Sequence, residues 1–183
     1  MAIGLNFETV LYAARTGAEW AWTALYLDLA PAIHGYLRAH GAKEAEDLTQ
    51  EVLVAIVRGL PDFEGDEAGF RSWAFVITHR RLLDARRSRG RHPVDPVPDA
   101  RLETAGGDVE GEALDNLDTE RVRTTLNKLP TDQRDVLLLR IVAGLTPTQI
   151  APIIGKTPGA VKQIQRRGLE AVVRLVTEQR VTR

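Results

Sequence analysis

Few residues of this chain are spaced for chemistry on a small molecule. The strongest candidate is Gly155-Lys156-Thr157, a tripeptide that holds phosphates in nucleotide-binding loops. Such a loop needs another glycine five positions earlier, after a strand. Ile150 occupies that place, and the surrounding RDVLLLRIVAGLTPTQIA repeats with helical period. The spacing argues against a nucleotide. The histidines, His34, His40, His79 and His92, lack metal-ligand spacing; the first two lie six apart, off one helical face. The absence of cysteine removes disulfides and thiolate metal sites. No Ser-His-Asp or paired-carboxylate arrangement stands out. The expectation is a protein without catalytic residues, metal or cofactor, and so not an enzyme.

What the side chains can do is face a polyanion. Net charge over 183 residues is −1, but the charges come in blocks. Residues 1–70 carry net −7 and residues 71–92 net +6; residues 93–120 carry net −8 and residues 121–183 net +8. Two basic blocks, each beside an acidic one, point to two polyanion-facing surfaces on a chain that repels anions elsewhere. A solvated helix face would account for either block taken alone. The first residues, MAIGLNFETVLY, lack a basic segment before an apolar core, and no apolar run approaches membrane-spanning length. A cytoplasmic protein with no membrane insertion is expected.

The elements that must position these charges all read as helices. AEWAWTALYLDLAPAIHGYLRAHG is one, with Pro31 expected to kink or break it and Gly41 to stop it. EAEDLTQEVLVAIVRG is a second, with Leu48, Val52, Ala55 and Ile56 on one face and Gly59 at the place of a C-terminal cap. LPDFEGDEAG is a loop, and FRSWAFVITHRRLLDARRSR a long helix, apolar first and basic last. HPVDPVPDARLETAGGDVEGEALD has prolines, glycines and acids but almost no large apolar residues, and cannot bury enough surface to order itself. It reads as a flexible linker at 93–118 between units at 1–92 and 119–183, which are expected to move independently when free.

Helices resume with DTERVRTTLNKL and with TDQRDVLLLRIVAG, where Thr131 is the expected N-cap and Gly144 the stop. Next, Thr146, Pro147 and Gln149 make a capping box, and Thr157 with Pro158 repeat that start. Gly155-Lys156-Thr157 is therefore the turn of a helix-turn-helix. Pro152 is expected to kink the first of its helices. Val161, Ile164, Gly168, Val172 and Leu175 form the inner stripe of the second helix. Lys162, Gln163, Gln165, Arg166 and Arg167 lie off it, as residue types that bond base edges and phosphates. Lys156 and Thr157 sit where the helix N-terminus offers amides to a phosphate. The phosphates this stretch is expected to hold are those of a DNA backbone; an ordinary helical hairpin with a solvated basic face is the other reading.

The order of motifs then gives a resemblance. AEDLTQEVLVAIVRGLPDF followed by FRSWAFVITHRRLLDARR resembles region two of bacterial sigma factors, the initiation subunits of RNA polymerase. Residues 129–167 resemble region four of the extracytoplasmic-function group, which keeps regions two and four only. The resemblance covers roughly residues 18–92 and 119–175. It implies an all-α fold of two small helical domains and a factor that recognises promoter minus-ten and minus-thirty-five elements and opens DNA. It also implies that Asp47, Gln50 and Glu51 contact core RNA polymerase. Phe63, in a loop matching the one that captures a flipped minus-ten base, is the implied stacking residue; an aromatic packed over its own loop is the other reading. Trp73 aligns with a family tryptophan and reads mainly as core. Arg80, Arg81, Arg86 and Arg87 are implied to grip the unwound strand and nearby duplex. Lys156, Thr157, Lys162, Gln163, Gln165, Arg166 and Arg167 are implied to meet the minus-thirty-five element. The sequence departs from the family at Arg80, often asparagine, at Gln149, often glutamate, and at Ala160, often threonine. The implied partners are core RNA polymerase, promoter DNA and an anti-sigma factor. The alternative is a helix-turn-helix regulator that acts without being a polymerase subunit.

Overall fold

The computed structural model describes Ile3, residues 6–91 and residues 122–181. Every regular element among them is helical. The N-terminal unit holds α1 (Phe7–Arg15), α2 (Glu19–Ala39), α3 (Ala45–Gly59), a 3-10 turn at Leu60–Asp62 and α4 (Glu67–Arg91). The C-terminal unit holds a helical stretch at 122–127, here α5, then α6 (Thr131–Ile141), α7 (Pro147–Ile154) and α8 (Pro158–Val181). The expected linker at 93–118 lies outside the described residues.

α1 is absent from the sequence reading. Its period is plain once the helix is seen: Phe7, Val10, Leu11 and Ala14 fall at helical spacing and are buried. The Phe7 ring lies 5.5 Å from that of Phe70 at the start of α4.

Two local expectations, at Gly59 and Thr131, fail for stated reasons, and of the kink or break expected at Pro31 the break does not occur. Pro31 does not break α2, which runs on to Ala39. Its ring side is exposed, while Leu25, Leu29, Ile33, Tyr36 and Leu37 are buried. Burial worth about 1.5–3 kcal/mol per large apolar side chain outweighs the roughly 3 kcal/mol penalty of one interior proline. Gly59 is not a left-handed cap: its φ is −88°, and α3 passes straight into the 3-10 turn. Its missing side chain makes room, because a Cβ there would stand 2.8 Å from Trp73 Cζ2. Thr131 is the first residue of α6 rather than its cap, Pro130 being the N-cap with extended ψ of 145°.

The helix-turn-helix forms as read. Thr146 accepts from the Gln149 amide while the Gln149 side chain accepts from the Thr146 amide, a complete capping box. α7 continues through the exposed Pro152 to Ile154. Gly155 then turns the chain at φ 65°, a conformation that costs a side-chain-bearing residue about 1–2 kcal/mol. Thr157 Oγ1 accepts from the Ala160 amide at 3.2 Å and starts α8. Gly168 lets α8 approach α6, where a Cβ would lie 3.1 Å from Leu137.

The two units meet face to face in this structure. α7 packs against α4 and α6 against α2. Gln149 Nε2 donates to the Ala68 carbonyl at 2.8 Å, and Ser72 Oγ to the Gln149 carbonyl at 3.3 Å. Arg71 Nε donates to the Ala143 carbonyl at 2.8 Å while its guanidinium pairs with Asp28 at 2.6 Å. A linker without core residues tethers two bodies but does not forbid their faces from meeting.

Candidate functional site

The amphipathic period of α3 buries Leu48, Val52 and Ile56 and leaves Asp47, Gln50 and Glu51 exposed. Asp47 and Glu51 line one wall of a cleft of about 440 Å³; Arg81, Asp84 and Ser88 of α4 line the other. This acidic and polar face lies away from the contacts that join the two units, and it can meet a basic partner.

The loop between the 3-10 turn and α4 is built around Phe63, which is 8% exposed. Its ring centroid lies 5.3 Å from that of Phe70 and 5.2 Å from that of Trp73. Arg15 of α1 fixes the same loop, donating to the carbonyls of Leu60 and Phe63. In this arrangement the Phe63 ring packs over its own loop, the second of the two sequence readings. Trp73 is half-buried in the same cluster, in keeping with a core role.

The arginines of α4 divide. Arg80, Arg81 and Arg87 are exposed on the helix, with Arg87 near Asp84 at 3.5 Å. Arg86 turns inward and donates to His40 Nδ1 at 3.0 Å and to the His40 carbonyl at 3.2 Å. In the C-terminal unit Lys162, Gln163, Arg166 and Arg167 are exposed along α8, and Gln165 is half-buried. Lys156 is exposed in the turn but is paired with Asp132 at 2.8 Å; Thr157 is spent on its cap. The α8 face is thus a row of donors with the chemistry of groove and phosphate recognition.

Sequence spacing gave no hint of a polar cluster beneath these surfaces. Tyr36 Oη and His79 Nδ1 lie 2.8 Å apart, and His40 Nε2 faces Asp135 Oδ1 at 3.4 Å. Because Arg86 donates to Nδ1 of His40, its ring carries its proton on Nε2, toward the Asp135 carboxylate. Burial, then the charges of Arg86 and Arg134, drive His40 down to about 2, and burial lifts Asp135 to about 6. Burial and Arg86 also lower His79, and burial with Asp135 raises Tyr36. Tyr36, His40, His79 and Arg86 belong to the N-terminal unit and Asp135 to the C-terminal one, so the cluster spans their junction. Residues as far apart in the chain as His40 and Asp135 cannot be paired by local pattern.

The described residues contain no cluster that would hold a metal ion, and none of their helices is long and apolar enough to cross a membrane.

Comparison with known proteins closes the question of family. The family model for sigma-70 region 2 matches residues 25–92, and that for sigma-70 region 4 matches residues 119–172. The chain is 34% identical over 140 residues to the ECF RNA polymerase sigma factor ShbA of Streptomyces griseus, covering 73% of this chain and 72% of that one. It is 30% identical over 176 residues to the ECF RNA polymerase sigma factor SigD of Mycobacterium tuberculosis, covering 91% and 82%. Its fold resembles that of CnrH, solved with the cytosolic domain of CnrY, with a TM-score of 0.70 at 23% identity over 94% of this chain and 97% of that one. With both family regions matched in order on an all-helical scaffold, the chain belongs to the extracytoplasmic-function group of the sigma-70 family, DNA-binding and non-catalytic subunits of transcription initiation.

Proposed function

We propose that this protein brings core RNA polymerase to promoters, recognises their minus-ten and minus-thirty-five elements and helps to open the DNA between them. The observation that carries the reading is the division of exposed charge: acidic and polar on α3, basic on α4 and again on α8. Asp47, Gln50 and Glu51 meet the polymerase. α8 lies in the major groove of the minus-thirty-five element through Lys162, Gln163, Arg166 and Arg167, with Gln165, Lys156 and Thr157 at its edge. Arg80, Arg81 and Arg87 hold the phosphates of the unwound minus-ten strand. Phe63 shapes the loop that presents this helix. Arg86 joins the DNA set only when it leaves His40. The shared fold with CnrH, which is solved in a complex with another protein's cytosolic domain, supports control by an anti-sigma factor.

The test separates the surfaces. Reversing charge at Asp47 and Glu51 is expected to abolish assembly with core polymerase while helical content, read by circular dichroism, stays unchanged. Replacing Arg80, Arg81 and Arg87 together by alanine is expected to spare assembly and to lower permanganate reactivity of promoter thymines. A wild-type chain that binds duplex but never assembles with core polymerase would instead be a plain helix-turn-helix regulator.

A further inference from the structure

We propose that Arg15, the last residue of α1, is a positioning residue for promoter opening: through it α1 braces the loop at 60–70 in the form that meets the minus-ten strand. The proposal rests on the function above and adds to it a helix that precedes the stretch matched to region two, 25–92. Its first ground is the geometry of the side chain. Arg15 stands at the C-terminal end of α1, beside the turn that Gly17 makes at φ 85°. Its Nε donates to the Leu60 carbonyl at 3.3 Å and its Nη2 to the Phe63 carbonyl. The extended ψ of Phe63, 129°, takes that carbonyl out of the helical ladder. A planar guanidinium that grips both carbonyls fixes where each lies relative to the other.

The second ground is that the N-terminal segment holds the loop at both ends. Phe7 lies about 12 Å before Arg15 along the helix, and its ring centroid is 5.5 Å from that of Phe70. Phe70 in turn packs on Phe63 at 5.3 Å. The Ile3 amide donates to Glu67 Oε1 at 2.6 Å. Arg15 thus takes the entry of the loop, while Ile3 and Phe7 take the end that starts α4.

The third ground is that the loop needs a brace. Gly65 has φ of 149°, which side chains rarely adopt, and a Cβ there would stand 3.0 Å from Phe63 Cζ. Gly69 follows in the first turn of α4, its amide donating to Asp66 Oδ1 at 2.7 Å. A backbone carrying two glycines loses more conformational freedom on ordering than other backbones do. Contacts from α1 set that order before DNA arrives, so less binding energy is lost to ordering when a strand is taken. The loop leads directly into α4, which exposes Arg80 and Arg81, and a change in its tilt is carried to them. The two bonds of Arg15 end on the loop and not on α3 or α8, so the brace acts on one of the three surfaces and leaves the other two alone.

The test compares two selectivities within one full-length chain assembled with core polymerase. Single-base substitutions are made in the minus-ten and, separately, in the minus-thirty-five element of a linear promoter, and opening is read by permanganate reactivity. The wild type is expected to lose about fivefold or more in rate per mismatched pair in either element. Arg15→Ala is expected to open the intact promoter roughly tenfold more slowly, as the loss of a charge-assisted hydrogen bond implies. Its minus-ten discrimination should fall below about twofold, while its minus-thirty-five discrimination and its affinity for core polymerase stay those of the wild type. Arg15→Lys keeps the charge without the fork and is expected to fall between. Leu29→Ala, which removes a buried side chain of α2, lowers stability and is expected to keep both selectivities. Equal loss of both selectivities in Arg15→Ala would overturn the brace, as would wild-type selectivity at both elements. So would a minus-ten loss in Leu29→Ala as large as that in Arg15→Ala. A wild type that opens no promoter, or discriminates in neither element, would strike the proposed function instead.

Discussion

Two stretches of this molecule have the same design in sequence: a glycine-bearing turn followed by a long basic helix. One is the Pro61–Gly69 loop with α4, the other the Gly155–Thr157 turn with α8. They are used in opposite ways. The second turns outward, and the basic and amide side chains after it are solvent-facing, with Lys162, Gln163, Arg166 and Arg167 all exposed. The first turns inward: Phe63 packs on Phe70 and Trp73, and Arg71 and Arg86 bond to carbonyls and side chains of other elements. A count of arginines therefore measures the charge a helix brings and not the charge it offers. α4 lies against α2, α3 and α7, whereas the main contacts of α8 are with α6 and α7.

The largest expected effect lies in the inward loop. Phe63→Ala should destabilise the chain by about 3–5 kcal/mol, as the loss of a buried aromatic does, measured by urea unfolding. Loss of under about 1 kcal/mol would place the ring at the surface and favour the base-stacking reading. Next comes the contrast within α4. Arg86→Ala removes bonds to the His40 ring and carbonyl and should cost about 2 kcal/mol. Arg80→Ala should stay within roughly 0.5 kcal/mol, as exposed substitutions do. Equal stability of the two variants would erase the distinction between inward and outward arginines.

A smaller effect should appear in acid. His40 and His79 are held below the ordinary value of 6.5, so the stability they confer is complete above that pH and is lost as pH falls through it. Asp135, raised from 3.8 to about 6, works the other way: the folded state gains relative to the unfolded one as pH falls from about 6 toward 3.8. In the wild type the carboxyl offsets one histidine proton over that window. Asp135→Asn should therefore steepen acid destabilisation between about pH 6 and 4 by roughly one proton, or about 1.4 kcal/mol per pH unit. An unchanged slope would show that Asp135 is hydrated and the junction open. The smallest effect belongs to the outward helix: Lys162→Ala should leave stability unaltered and reduce the salt slope of duplex binding by about 1. A slope unaffected by this change would take Lys162 off the phosphates.

The sequence by itself determined what depends on near neighbours. The period of α3 set which of its residues are buried and which, Asp47, Gln50 and Glu51, are free. The capping box of Thr146 and Gln149, the turn at Gly155 and the start at Thr157 are contacts within a few residues, and each formed as read. α1 was legible in principle from the spacing of Phe7, Val10, Leu11 and Ala14, since that spacing is local too. Only the tertiary structure decided that Pro31 stays within its helix, that Gly59 makes room for Trp73, that Phe63 is core and that Arg86 faces inward. Each of those outcomes turns on a partner from another element, and chain neighbours carry no record of it. The meeting of His40 with Asp135 is the extreme case: two ionisable groups on different units, brought together by a docking that no local propensity encodes, because its free energy comes from surfaces that become adjacent only after both units have folded.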